Sequence, residues 1–134
     1  MPKIEKIDHV ALVVNDIDEA LDFWCDALGL ELTHTQQVPR EKSAIGFLPV
    51  GDSKIELVQP TSDDSGIAKY LAKRGSGMHH ICLEVDDIAA MLEQLEDKGI
   101  RLIHEQPVIA DDGRKYAFIH PKAAHGVLVE LYEL

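Results

Sequence analysis

The sequence predicts an α+β fold in which one supersecondary unit is used twice. Three observations predict it: a long internal repeat, strand-like alternation at the head and tail of each copy, and helical spacing directly after each head. Asp8–Ile17 resembles His79–Ile88. His9 aligns with His80, Leu12 with Leu83, Val14 with Val85, Asp16 with Asp87, and Ile17 with Ile88; Leu21 then aligns with Leu92 and Asp26 with Asp97. Self-similarity at long period marks a duplicated unit. The match carries strand pattern, turn and helix pattern in one order, which chance similarity does not produce.

Each head is a strand. Val10, Leu12 and Val14 alternate with His9, Ala11 and Val13, and Ile81, Leu83 and Val85 alternate with His80, Cys82 and Glu84. Period two argues β structure. A helix follows in each copy: Ile17, Ala20, Leu21, Trp24 and Leu28 fall at helical spacing, as do Ile88, Met91, Leu92 and Leu95. Asp16 with Glu19 forms a capping-box pattern, Asp87 caps the second helix, and Gly29 and Gly99 suit the left-handed residue that ends a helix. Further strands close each half. Ala44–Val50 turns through Gly51-Asp52 into Lys54–Val58, and Tyr116–Ile119 leads through Pro121 to Val127–Tyr132. A polar connection, Gln59–Gly77, joins the halves, with a short helix expected around Ile67, Tyr70 and Leu71.

Bulk properties bound the function. The chain has 134 residues, 46% hydrophobic and 28% charged, which is globular composition with room for a core. One domain spanning 1–134 is expected, with module one at about 5–60, a linker at about 61–76 and module two at about 77–134. A formal charge of −11 argues against broad nucleic-acid binding. Cys25 and Cys82 lie in apolar segments without C-x-x-C spacing and read as buried thiols. There is no apolar run of transmembrane length and no signal-peptide pattern, so a cytoplasmic protein is expected.

Alternation also assigns faces. The sets Val10/Leu12/Val14, Ile81/Leu83/Val85, Ile55/Leu57 and Val129/Leu131 should pack under the helices. The opposite face then carries His9, Glu56, His80 and Glu130, one histidine and one glutamate per half. Each alone reads as an ordinary strand residue. Repeated in both halves, two imidazoles and two carboxylates make a site for a divalent first-row metal with open positions. His79 points to the other face and reads as structural. His34, His104, His120 and His125 have no partner visible in the sequence, although His120 could line the site.

The paired plan, with His9 and His80 opening its halves and Glu56 and Glu130 closing them, resembles the vicinal-oxygen-chelate superfamily. Several stretches are similar to methylmalonyl-CoA epimerases: Ile7–Ala11, Leu48–Leu57, Ser65–Leu71, Gly77–Cys82, Phe118–Lys122 and Gly126–Leu131. The resemblance implies two βαβββ modules forming a cupped, partly closed mixed sheet with helices outside. It implies interconversion of (2R)- and (2S)-methylmalonyl-CoA through a metal-stabilised enolate. It implies a divalent ion (cobalt, manganese, nickel or zinc) held by His9, Glu56, His80 and Glu130, a small-molecule acyl-CoA substrate and a homodimer.

Epimerisation needs an acid and a base on opposite faces of a planar intermediate. Glu130 is one candidate. The family's second glutamate falls, counting back from Phe47, on Arg40, and Glu41 beside it is the remaining carboxylate. Near Ala110–Gly113, where the family is glycine-rich, only Gly113 is retained. Phosphates of an acyl-CoA would need cations, and two groups offer them: Lys69, Lys73 and Arg74 in the linker, and Arg114, Lys115 and Lys122 late in module two. The competing readings are a glyoxalase I type lactoylglutathione lyase using the same four ligands, an epimerase or isomerase on another acyl-CoA, and a non-catalytic small-molecule binder of the same fold.

Overall fold

The computed structural model describes residues 1–134. Eight strands and three α-helices follow in the order expected of two βαβββ modules joined by a helical linker. The chain divides into two compact units, one formed by His9–His79 and the other by Met1–Asp8 with His80–Leu134. Strand β1 (Ile4–Val13) therefore contributes to both.

In the unit His9–His79 the strands run in the order β2 (His34–Val38), β3 (Ser43–Val50), β4 (Ser53–Pro60) and the end of β1. β2, β3 and β4 are antiparallel, and β1 lies parallel to β4 with Leu12 opposite Leu57. Helix α1 (Ile17–Leu21) starts where Asp16 Oδ1 accepts from the Glu19 N–H at 3.2 Å, satisfying one of the N–H groups a helix start leaves open. Leu12, Ile17, Ala44, Leu48 and Leu57 form the core, with Val10, Leu21 and Trp24 packed against it. Gly46 lets α1 settle close to the sheet: a Cβ there would stand 3.3 Å from both Ile17 Cγ2 and Leu32 Cδ1. Helix α2 (Gly66–Arg74) is capped by Ser65, whose Oγ accepts from Ala68 N–H at 3.0 Å.

The expected first helix is altered in its second half. Asp22–Ala27 opens into a π turn, with the Leu28 N–H donating to Phe23 O at 2.8 Å. The wider turn shifts the phase of the following side chains, so Leu28 stands 54% exposed instead of joining the core face. Trp24 keeps its place, and Cys25 packs half-buried beside it.

In the other unit the order is the start of β1, β5 (Gly77–Val85, of which His80–Val85 belongs here), β8 (Val129–Glu133), β7 (Lys115–Ile119) and β6 (Val108–Ile109). β8 runs parallel to β5, with Leu83 opposite Leu131, as β4 does to β1. Helix α3 (Ile88–Asp97) is capped by Asp87, which accepts from Ala90 N–H at 3.0 Å. It buries Ile88, Met91 and Leu92 on Val85, Ala117, Ile119 and Leu131. Each such large aliphatic side chain contributes on the order of 1.5–3 kcal/mol by leaving water. Lys3 ties the chain's start into this unit: its N–H donates to Asp86 Oδ1 at 2.8 Å, and its carbonyl accepts from Asp86 N–H at 3.2 Å. Gly29 and Gly99 adopt φ of 94° and 75°, the left-handed geometry expected of residues that end helices.

Candidate functional site

The two units build the same small arrangement. In His9–His79, Ala11 is the register partner of Glu56 across the parallel β1–β4 pair, and Phe47 faces Glu56 from β3. His9 precedes Ala11 by two residues and so shares its face. Its Nδ1 lies 3.2 Å from Glu56 Oε2. Both residues are buried, at 8% exposure. In the second unit Cys82 is the register partner of Glu130, and Phe118 faces Glu130 from β7. His80 precedes Cys82 by two residues, and its Nε2 lies 3.0 Å from Glu130 Oε1.

The core side chains Leu12, Leu57, Leu83 and Leu131 occupy the alternate positions of these strands. Assignment of faces from period two therefore placed each histidine with the glutamate of its own module. Ala11 and Cys82, both 0% exposed, are the small residues that stand beside the carboxylates.

A buried carboxylate beside an imidazole is stabilised by a charge-assisted hydrogen bond when the ring carries the proton. The same pair fits a metal ion. Ligand atoms at about 2.1 Å from an ion, set at right angles, are about 3.0 Å apart, close to the spacing in both pairs. Neutral imidazole nitrogen with carboxylate oxygen is a donor set for divalent first-row ions.

The second acid/base candidate stands elsewhere. Arg40 and Glu41 lie on an exposed single 3-10 turn, Pro39–Glu41, between β2 and β3, followed by Lys42 at φ 52°. Glu41 is thus on a turn, where strand alternation does not dictate its direction.

Several features of the repeat escape a reading confined to its first segment. Phe47 and Phe118 are equivalent positions, each the register partner of its glutamate; the Phe118 ring meets His80 edge-on at 5.3 Å. His34 is the register partner of Phe47 and stacks on its ring at 4.3 Å. His104 accepts the Phe118 N–H through Nδ1 at 2.9 Å and tilts over the same ring at 5.9 Å. Extending the displacement that links His9 to His80 along the chain carries Phe47 onto Phe118 and, with one residue less, His34 onto His104. That was the available signal. The His79 ring lies edge-on to Tyr70 at 4.7 Å.

Comparison with known proteins gives the family. Residues 8–118 match the Glyoxalase/Bleomycin resistance protein/Dioxygenase superfamily, and the chain belongs to it. Within that superfamily it stands with the methylmalonyl-CoA epimerases. It is 38% identical over 130 residues to the mitochondrial methylmalonyl-CoA epimerase of Mus musculus, covering 96% of this chain and 73% of that one. It is 36% identical over 133 residues to the ethylmalonyl-CoA/methylmalonyl-CoA epimerase of Cereibacter sphaeroides, covering 98% and 99%. A solved methylmalonyl-CoA epimerase in complex with methylmalonyl-CoA and NH4+ superposes with a TM-score of 0.85 at 33% identity, over 98% of this chain and 95% of that one.

Proposed function

We propose that this chain is a metal-dependent epimerase that interconverts (2R)- and (2S)-methylmalonyl-CoA, with His9, Glu56, His80 and Glu130 holding one divalent ion. The observation that carries the reading is the duplicated pair: each module sets an imidazole nitrogen 3.0–3.2 Å from a carboxylate oxygen at the same register. Cobalt, manganese, nickel and zinc all accept such donors. When bound, the ion supplies Lewis-acid stabilisation for negative charge on the substrate's oxygens.

The chain's own residues move the proton. The hydrogen at carbon 2 lies between a thioester and a carboxylate and is weakly acidic. Glu130 takes it from one face or returns it, and Glu41 serves the opposite face from its turn. The protein works as a cytoplasmic homodimer, and sedimentation at micromolar concentration tests that state. No helix is long and apolar enough to cross a membrane.

The test is deuterium entry. Metal-loaded protein given (2R)-methylmalonyl-CoA in deuterated water should place deuterium at carbon 2 and yield the 2S form. Absence of exchange with turnover of a glutathione hemithioacetal would identify a lyase. Exchange confined to a different acyl-CoA would move the substrate assignment. Failure to bind any divalent ion would leave a non-catalytic binder.

A further inference from the structure

Both helices that follow a histidine strand are gripped a second time, from the strand that carries the glutamate. The Ile17 N–H, at the start of α1, donates to Gln59 Oε1 at 2.8 Å, and the Ile88 N–H, at the start of α3, donates to Glu133 Oε1 at 2.8 Å. Gln59 lies three residues beyond Glu56, and Glu133 three beyond Glu130. Ile17 lies eight residues beyond His9, and Ile88 eight beyond His80. The device is thus repeated along with the metal candidates, at the same spacing, inside each unit. It is separate from the caps at Asp16 and Asp87, which accept from Glu19 and Ala90 and bind each helix only to its own lead-in.

Capping a helix does not require such a partner. The N–H groups left open at a helix start are ordinarily met by a side chain next to it. Here the acceptors come from 42 and 45 positions away. Each is the residue that follows the last pair of a parallel ladder, Val13 with Val58 in one module and Glu84 with Tyr132 in the other. Ile17 and Ile88 are buried, so losing the acceptor leaves an N–H with little access to water. The odd separation puts Gln59 and Glu133 on the opposite strand face from Glu56 and Glu130. Each side chain therefore ties the glutamate strand, from behind, to the segment continuous with the histidine. A slide of one strand along the other would change the 3.2 and 3.0 Å spacings of the two pairs. A fixed point just past the ladder's end opposes that slide. The second tie is the firmer one. Glu133 Oε2 also has Lys115 Nζ at 3.7 Å, and a carboxylate at a helix start gains from the helix dipole where the Gln59 amide does not.

We propose that Gln59 and Glu133 are positioning residues that set the register of each histidine–glutamate pair, and through it the affinity for the divalent ion. The inference rests on the metal reading above. Neither side chain touches the ion; each acts through the glutamate three residues before it.

The experiment compares wild type with Gln59→Met and Glu133→Met, which keep the length of the side chain and delete the acceptor. Gln59→Glu and Glu133→Gln keep an acceptor, and Asp16→Ala and Asp87→Ala remove the ordinary cap at the same helix starts. Three quantities are read: Tm without metal, Kd and visible absorption bands with cobalt(II), and the ring 15N shifts of His9 and His80 in metal-free protein, which report each imidazole's hydrogen bond. Tm should fall in the methionine and cap variants alike. Only the methionine variants should weaken cobalt binding, by about tenfold, as loss of a group that orients a ligand does, with more loss for Glu133→Met than for Gln59→Met. Only they should move the cobalt bands. Glu133→Met should shift the His80 ring and leave His9 in place, and Gln59→Met the reverse. The acceptor-keeping variants should stay at wild-type affinity.

Unchanged cobalt Kd and ring shifts in the methionine variants would overturn the proposal. Equal changes in the cap variants would also overturn it, since both bonds would then serve only the helix. Should Glu133→Met fail to fold, Glu133→Asp takes its place: the shortened arm should weaken cobalt binding and shift the His80 ring, and wild-type values in both would overturn the tie. Should the wild type bind no divalent ion, the metal reading fails and the ring shifts decide alone. A His80 shift in Glu133→Met that is absent from Asp87→Ala would then uphold the positioning role, and no shift would end it.

Discussion

If His9–Glu56 and His80–Glu130 hold a single ion, metal binding should respond in an all-or-none way to damage in either module. The perturbation is His9→Ala in one variant and His80→Ala in another. An ion at a free concentration one hundred times its Kd stabilises the native state by about 2.7 kcal/mol. For a chain of 134 residues that is roughly 10 °C in Tm, taking about 3–4 °C per kcal/mol at this size. Both histidines sit against carboxylates, at 3.2 and 3.0 Å, so each deletion also leaves a glutamate without its neighbour. The quantity to read is therefore the difference in Tm with and without metal within one variant, by scanning calorimetry across cobalt, manganese, nickel and zinc. Wild type should gain about 10 °C at that saturation, and each single variant should gain almost nothing. Two separate two-ligand sites would behave differently, each variant keeping about half of the gain. That result would refute a shared centre while leaving both pairs intact.

Other outcomes follow from the same geometry. Glu130→Gln should abolish epimerisation and weaken metal binding in equilibrium dialysis, whereas Glu41→Gln with unchanged turnover would remove that residue from proton transfer. Leu57→Ala removes a fully buried side chain between β4 and α1 and should cost about 2–5 kcal/mol in urea denaturation. Asp87→Ala deletes the cap of α3 and should cost about 1 kcal/mol by the same measurement. Tyr132 is pushed up to about 12, chiefly by burial; in near-ultraviolet titration one tyrosine of three should ionise late. Because its folded value is raised, its contribution to stability is complete below pH 10 and is lost as pH climbs toward 12.

The strands that carry the metal candidates were legible because each is buried on one face, which makes period two explicit. Val10, Leu12 and Val14 could only turn inward if His9 turned the other way. β2 was not legible. His34-Thr35-Gln36-Gln37-Val38 has no apolar alternation, and its first four residues are exposed, so nothing in the pattern separates it from a loop. β6, two residues long, lacks the length to show a period. Leu28 misled for a different reason. Helical spacing assumes a constant turn, and the π turn after Leu21 breaks that assumption without any proline or glycine to announce it. The role of Phe47 and Phe118 as neighbours of the carboxylates depends on cross-strand register, which a single strand does not encode. The caps at Asp16 and Asp87 were written locally, as side-chain acceptors ahead of apolar spacing, and both stand where the sequence put them.

The division of β1 carries a consequence for how this protein can be taken apart. The first eight residues belong with a unit whose remainder begins at His80, and the Lys3–Asp86 contacts span 83 positions. During synthesis that amino end emerges first yet must wait for the last half of the chain before its ladder closes. Scission within the connecting helix would not release two self-sufficient pieces, since the later fragment would lack its opening ladder. A split reporter built on this scaffold would have to supply Met1–Asp8 in trans or graft it onto the later piece.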